Sequence, residues 1–412
     1  MAALQFNPAD PATNADPFPI FRRLQDEDPV HWSDAVRGWT ITRYDDVRAV
    51  ALDRTMSADR VRPFFDVMPN EEQRRLADLG HYLTLWAVFK DPPDHTRLRG
   101  LMNRAFTPRA VEALRPKIER IVRDLLEAIV ERGSADLIAD FAYPLPASVI
   151  MDMLGVPRSD LAMMKVWSDE IALFVGIART TPGKLARAQA GTREMAAYFR
   201  RLVGQRRKAP RDDMISALIA AEEQAQHLTE DEIIASCILL LFAGHETTAN
   251  LIGNGVLALL RHPGEFAKLA GRPELAANTV EECLRYDGPS GALARVVAVE
   301  HEISGRRLKT GDRVYAWMNA ANRDPRRFAD PDRFDIERAD NRHLTFGHGA
   351  HFCLGAPLAR LEAQIAFPQI VARLQGLELT TDKFEWIDSL ILRGVKKLPV
   401  RFKPVAARRV AM

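Results

Sequence analysis

Long apolar runs, blocks of one charge sign and closely spaced cysteines are all scarce in this chain, and each shortage removes a class of function. The longest apolar run, Ile233 to Gly244, is about 12 residues against the ~20 that a membrane-spanning helix needs. It contains Ser236 and leads into His245 and Glu246, so it reads as a buried helix rather than a membrane anchor. The opening MAALQFNPADPATNADPFPIF is polar and proline-rich, unlike a signal peptide. Lys and Arg total 57 against 55 Asp and Glu, a formal net charge of +2 spread along the chain. No bulk basicity points to nucleic acid. The three cysteines, Cys237, Cys283 and Cys353, form no CxxC pair, and an odd count excludes a complete disulfide framework. A reducing cytoplasm is the simplest setting. There is no internal repeat, low-complexity tract or linker.

What is present is an ordinary globular composition, 47% hydrophobic and 27% charged over 412 residues. The first 50 residues combine a short amphipathic helix, Pro19 to Asp26, with strand-like runs at Val30–Trp32 and Trp39–Arg43. From Asp94 to about Ala270 the pattern is mostly helical, with Leu114, Ile118, Ile121, Leu125 and Ile129 at helical spacing. Thr107-Pro108 reads as a helix start, and Pro116 breaks or restarts the helix that follows. Thr229 with Glu232 three residues on is a capping box, and Arg261-His262-Pro263-Gly264 is a stop signal. The helix between them runs roughly 32 residues, about 48 Å. After residue 290, Arg295–Val299, Glu302–Ile303 and Arg313–Trp317 read as short strands. A final helix spans about Ala356 to Leu374. The fold class is mainly α with minor β, the β-richer parts lying at about 28–60 and 290–318.

The strongest chemical signal is Phe346-Gly347-His348-Gly349-Ala350-His351-Phe352-Cys353-Leu354-Gly355, followed by Ala356-Pro357-Leu358-Ala359-Arg360. Three glycines within nine residues allow a tight loop and close approach of backbone to a flat ligand. Cys353 stands just before a helix whose free N–H groups and dipole favour an anionic sulfur. His351 and Arg360 add donor or positive character. A thiolate held this way suits a single strong axial metal bond.

This stretch matches FGxGxHxCxG at every fixed position and resembles the heme loop of the cytochrome P450 family. The resemblance implies that Cys353 is the axial thiolate of heme b and the iron ligand, with Phe346, Gly347 and Gly355 shaping its loop. Further segments carry the same likeness. Ala243-Gly244-His245-Glu246-Thr247-Thr248 resembles the family's oxygen-binding stretch. There Gly244 removes a side chain where dioxygen must fit, and Thr247 can bond a backbone carbonyl and loosen the helix. A hydroxyl beside a carboxylate can deliver protons, which makes Thr247 and Glu246 the catalytic candidates. Glu246 stands where an Asp is more usual, with longer reach. His245 lies off the Thr247 face and reads as a helix-packed or solvent-linked residue. Glu282-Cys283-Leu284-Arg285 matches ExxR, a structural pair joined in the family by a later arginine. Both Arg333 and Arg338 are candidates for that third arm. His95 and Arg99 in Asp91-Pro92-Pro93-Asp94-His95-Thr96-Arg97-Leu98-Arg99 are i,i+4 and can meet one anion. With Arg295 and His351 they match positions that hold the heme propionates.

The likeness runs from the strands near Trp39 to the Ile391-Leu392-Arg393-Gly394 turn. It implies one triangular domain over residues 1–412, with heme between the long central helix and the cysteine loop. The implied activity is reductive activation of O2 and insertion of one oxygen atom into a small or medium, largely apolar substrate. Lacking a dinucleotide fingerprint and a ferredoxin-type cysteine set, the chain takes its electrons from a partner. A ferredoxin with its NAD(P)H-dependent reductase fits, and Arg104, Arg109 and Arg342 are docking candidates. Counting back from Thr247 by helical turns places Ala243, Leu240 and Ser236 on one face. Leu293 and Ile391 match pocket borders. Arg62 to Phe89, with Phe64, Phe65 and Trp86, and Trp167 to Thr180 form the distal cover. Two other readings stand beside this one: a peroxide-driven hydroxylase of the same heme-thiolate type, and a heme-binding sensor or carrier without turnover.

Overall fold

Capping at Thr229 decides where the longest helix begins. In the computed structural model, which describes residues 4–223 and 228–404 (the side chains of Arg104 and Glu223 excepted), the Thr229 hydroxyl accepts from the Glu232 N–H at 3.2 Å. The Glu232 carboxylate accepts from the Thr229 N–H at 2.9 Å, completing the box. The central helix then runs unbroken over Glu230–Arg261 and stops at His262, where Pro263 starts the next helix. Its sides are apolar almost all round, as befits a helix packed on every face. The helices Pro144–Leu154, Lys184–Lys208, Ala276–Asp287 and Ala356–Arg373 surround it. By length and composition this helix could cross a membrane, yet 78% of its most apolar window is buried inside the fold. It is the core of a globular chain.

The main sheet joins the N-terminal part of the chain to residues 292–317. Strands β1 (Val30–Ser33), β2 (Gly38–Ile41), β3 (Met56–Ser57), β4 (Ala292–Val297) and β5 (Arg313–Trp317) form one sheet in the order β1-β2-β5-β4-β3. Only β2 and β5 are parallel, with Trp39 opposite Val314. β4 begins three residues before the expected Arg295, so Leu293 and Arg295 share a strand and, two residues apart, one face of it. The amphipathic helix expected at Pro19–Asp26 spans Phe18–Glu27. Pro116 restarts a helix, Arg115–Val130, after the short turn Pro108–Glu112 that Thr107 caps.

The ExxR pair anchors the loop that leads to the cysteine. Arg285 Nε and Nη2 donate to the two Glu282 carboxylate oxygens, both at 2.8 Å, and both side chains are wholly buried. A buried charge pair of this kind persists only when its other donors and acceptors are matched. Arg285 spends the rest on the carbonyls of Asn322, Pro331 and Arg333. Glu282 accepts further from Asn341 Nδ2 and the Asp335 N–H. The third arm is Arg338, whose Nε lies 3.3 Å from Glu282. Arg333, the other candidate, is ruled out: only its backbone carbonyl joins the network. Its side chain is 61% exposed and faces Asp335 at 3.6 Å, because the turn at Asp330–Arg333 aims it outward.

Candidate active site

The cysteine loop closes through one backbone bond and two left-handed glycines. The Cys353 N–H donates to the Phe346 carbonyl at 2.8 Å, and Gly347 and Gly349 have φ of +71° and +72°. At Gly349 a Cβ would also lie 3.1 Å from the Ala51 carbonyl. The helix Ala356–Arg373 starts directly beyond, with Pro357 in its first turn. Burial pushes the Cys353 thiol up, while the N–H groups of Gly355 and Ala356 and the charges of Arg99 and Arg360 oppose it. Arg360 also stacks 4.5 Å from the Phe346 ring and pairs with Glu281 at 2.6 Å. Cys237 and Cys283 are fully buried within helices, where desolvation keeps them as thiols.

Cys353 faces a cavity of about 340 Å³ between this loop and the central helix. The expected loop residues Phe346, Gly347 and Gly355 line it, as do His95, Arg99, Arg295 and His351. The His95 and His351 rings lie 4.0 Å apart. Burial, helped by the neighbouring arginines, drives His351 down to about 3 and lowers His95 as well, so both imidazoles are neutral donors or acceptors. Arg99 reaches the Phe352 carbonyl at 2.5 Å and Arg295 the Ala294 carbonyl at 2.9 Å, each keeping further N–H groups free for the cavity. No Asp or Glu lines the cavity among the described residues. Cys353, the two arginines Arg99 and Arg295, two imidazoles and no competing carboxylate fit a heme with two propionates, and a third arginine, Arg60, stands elsewhere on the same wall.

Across the cavity stand Leu240, Ala243, Gly244 and Thr247 of the central helix, with Leu293 and Ile391 on the flank, as expected. Thr247 Oγ1 donates to the Ala243 carbonyl at 3.1 Å, yet the helix is not loosened. The loosening expected at Thr247 and the placing of Ser236 need correcting. Ser236 does not reach the cavity. Eleven residues back it shares the face but lies about 16 Å down the axis, its hydroxyl bound to the Glu232 carbonyl. At Gly244 a Cβ would first meet Ile150 at 3.0 Å, so its missing side chain serves helix contact as well as cavity space.

Glu246 is absent from the cavity wall and faces the other way. Its Oε1 lies 3.2 Å from Nε2 of the fully buried His245, whose Nδ1 bonds the Leu241 carbonyl at 2.6 Å. Lys165 and Asp169, paired at 2.9 Å, complete the surroundings, with Tyr143 under the Lys165 ammonium. Burial acts to raise the Glu246 carboxyl, but His245 and Lys165 hold it below its ordinary value. Asp169 is raised by burial and by Glu246. His245 is thus the helix-packed histidine expected, and also the partner of the acid.

The distal cover resolves into three short helices over Arg62–Asp66, Asn70–Arg75 and Ala77–Thr84. Phe64 and Phe65 pack on Phe174 at 5.3 and 6.0 Å rather than entering the cavity. Trp86 stacks on Phe89 at 5.8 Å, and of those two only Phe89 is exposed to the cavity. Sequence reasoning missed Arg60, Met102, Phe106 and Thr248, which also line it. Thr248 had a signal, since it neighbours Thr247; the others had none.

The family model described as Cytochrome P450 matches residues 66–271 and 272–402. The chain belongs to the cytochrome P450 family. It is 39% identical to the polyketide biosynthesis cytochrome P450 PksS of Bacillus subtilis, over 97% of this chain and 99% of that protein. Among solved structures it resembles P450BioI in complex with an acyl carrier protein bearing hexadec-9Z-enoic acid. That match has a TM-score of 0.89 and 37% identity over 95% of this chain and 99% of that one. It also resembles the myxobacterial CYP267B1 in complex with myristic acid, with a TM-score of 0.87 and 42% identity over 95% and 98%. This P450 is a monooxygenase of organic substrates, and its cofactor is heme b with an axial cysteine thiolate.

Proposed function

We propose that Cys353 ligates the heme iron and that the enzyme inserts one atom of O2 into a small or medium apolar substrate, with electrons from a ferredoxin and its NAD(P)H-dependent reductase in the cytoplasm. The observation that carries this reading is one cavity with apolar walls onto which the only non-helical cysteine and a central-helix threonine both open. When bound, the heme supplies dioxygen activation, and a thiolate ligand favours O–O cleavage. The protein's own part is positional. The Gly355 and Ala356 N–H groups and Arg99 favour the charged sulfur. His95, Arg99, Arg295 and His351 bind the propionates. Thr247 presents a hydroxyl whose proton is parked on the Ala243 carbonyl, leaving its oxygen lone pairs to the cavity. Glu246, one residue before, is the acid candidate for proton supply, its carboxylate held on the His245, Lys165 and Asp169 side, away from substrate.

Of the candidate docking residues, Arg342 is already tied to Asp340 at 3.0 Å, Arg109 is exposed, and the Arg104 side chain lies outside the described residues. The apolar walls agree with relatives solved with myristic acid and a hexadecenoyl carrier. Turnover under labelled dioxygen with NADPH, a ferredoxin and its reductase tests the reading: one labelled atom appears in product. Product from hydrogen peroxide alone, with none from the reconstituted chain, supports the peroxide-driven alternative instead.

A further inference from the structure

Arg60 is a cation on the cavity wall to which the reading above assigns no role. It is half-buried and lies 4.7 Å from the Phe89 ring. Its one hydrogen bond within the described protein runs from Nη2 to the Val175 carbonyl at 2.8 Å. The remaining N–H groups have no acceptor among the described residues. The charged groups that act on it most are cations, Arg295 and Arg313, beside the Tyr315 phenol. Nearby acids are committed elsewhere: Asp59 faces Arg62 at 3.7 Å, and Asp91 accepts from the Ser57 hydroxyl and the Ala58 N–H. Burial lowers the Arg60 guanidinium to about 10, so it stays charged at neutral pH.

An arginine without a counter-ion in an apolar cavity is costly unless a ligand supplies the anion. Two propionates are matched by Arg99 and Arg295, which sit with His95 and His351 beside the cysteine loop. Arg60 is the third cation against two anions. Its own contacts belong to the cover: Phe89, and Val175 at the end of the helix Leu161–Val175. A guanidinium fork matches the geometry of a carboxylate.

We propose that Arg60 anchors the carboxylate of the substrate, which makes the preferred substrate class free carboxylic acids with an extended apolar body. The acid end is held under the cover, and the chain reaches along the apolar wall of Leu240 and Ala243 toward Thr247. This rests on the heme-thiolate reading and names the substrate of that same site.

The test is a spectral titration of the heme-loaded enzyme, reading the Soret shift as ligand displaces iron-bound water. Straight-chain acids of eight to sixteen carbons are compared with their methyl esters and alcohols. The acid of best-fitting length binds about tenfold or more tighter than its ester, as a charge-assisted pair requires. Arg60→Gln brings the acid to the ester's affinity and leaves ester binding and heme content unchanged. Arg60→Lys, which keeps the charge without the fork, retains part of the preference and guards against misfolding of the first variant. Equal binding of acid and ester in the unaltered enzyme overturns the proposal, as does an acid preference that survives Arg60→Gln. Loss of heme from Arg60→Gln with the preference intact assigns Arg60 to a propionate instead. Absence of the red-shifted reduced carbon monoxide band in the unaltered enzyme sinks the heme-thiolate reading itself, a result distinct from all of these.

Discussion

The two walls of the cavity are built differently. The cysteine side rests on a polar frame: among the described residues, Arg338 and the carbonyls of residues 329–333 leave the buried Glu282–Arg285 pair with no unmet partner, and the loop itself closes on Phe346. The cover rests on rings and short helices, with Phe64, Phe65 and Phe174 packed as a group and Arg60 bound to a lone carbonyl. Hydrogen-bonded frames fix atoms, whereas ring packing tolerates repacking. On the proposed reading, iron ligation belongs to the first wall and substrate selectivity to the second. Changes on the first wall should cost fold and heme; changes on the second should alter what binds.

The largest expected effect is at Glu282. Glu282→Ala leaves Arg285 charged, buried and unpaired, at a cost of about 3–5 kcal/mol. Denaturant unfolding should show that loss together with heme-poor protein; stability within 1 kcal/mol of the unaltered enzyme breaks the comparison. Arg338→Ala should cost about 1–3 kcal/mol, because it strips a charged donor from the same carboxylate. Arg333→Ala, whose side chain is out in solvent, should stay within about 0.5 kcal/mol. Equal effects of the two would mean that the third arm is misassigned. Phe174→Leu, on the cover, should cost about 1 kcal/mol while shifting substrate spectral affinities at unchanged heme content. Thr247→Ala should have the smallest effect on stability, again within about 0.5 kcal/mol, but should divert reducing equivalents from product to peroxide. Unchanged coupling of NADPH use to product removes Thr247 from the proton path.

The same division explains what was legible in the sequence. Features set by local chemistry were readable: the Thr229–Glu232 cap, the glycine loop before a helix at Cys353, and the i,i+4 pair His95 and Arg99. Features set by chain path were not. Arg333 and Arg338 are equivalent in sequence, and only the turn between them turns one out and the other in. Ser236 has the right angular position and the wrong height. Glu246 was readable as an acid beside a threonine, but its partners Lys165, Asp169 and Tyr143 come from distant helices. Arg60 gave no signal, because an arginine in a loop looks like solvated charge until the cover closes around it.

The central claim, that Cys353 is the thiolate on which the whole arrangement turns, has a direct measurement. Reduced enzyme under carbon monoxide should show a strongly red-shifted Soret band in the unaltered protein. Cys353→Ser should lose that band while any heme it retains absorbs at shorter wavelength. Survival of the red-shifted band in Cys353→Ser would contradict the account and require a different axial ligand.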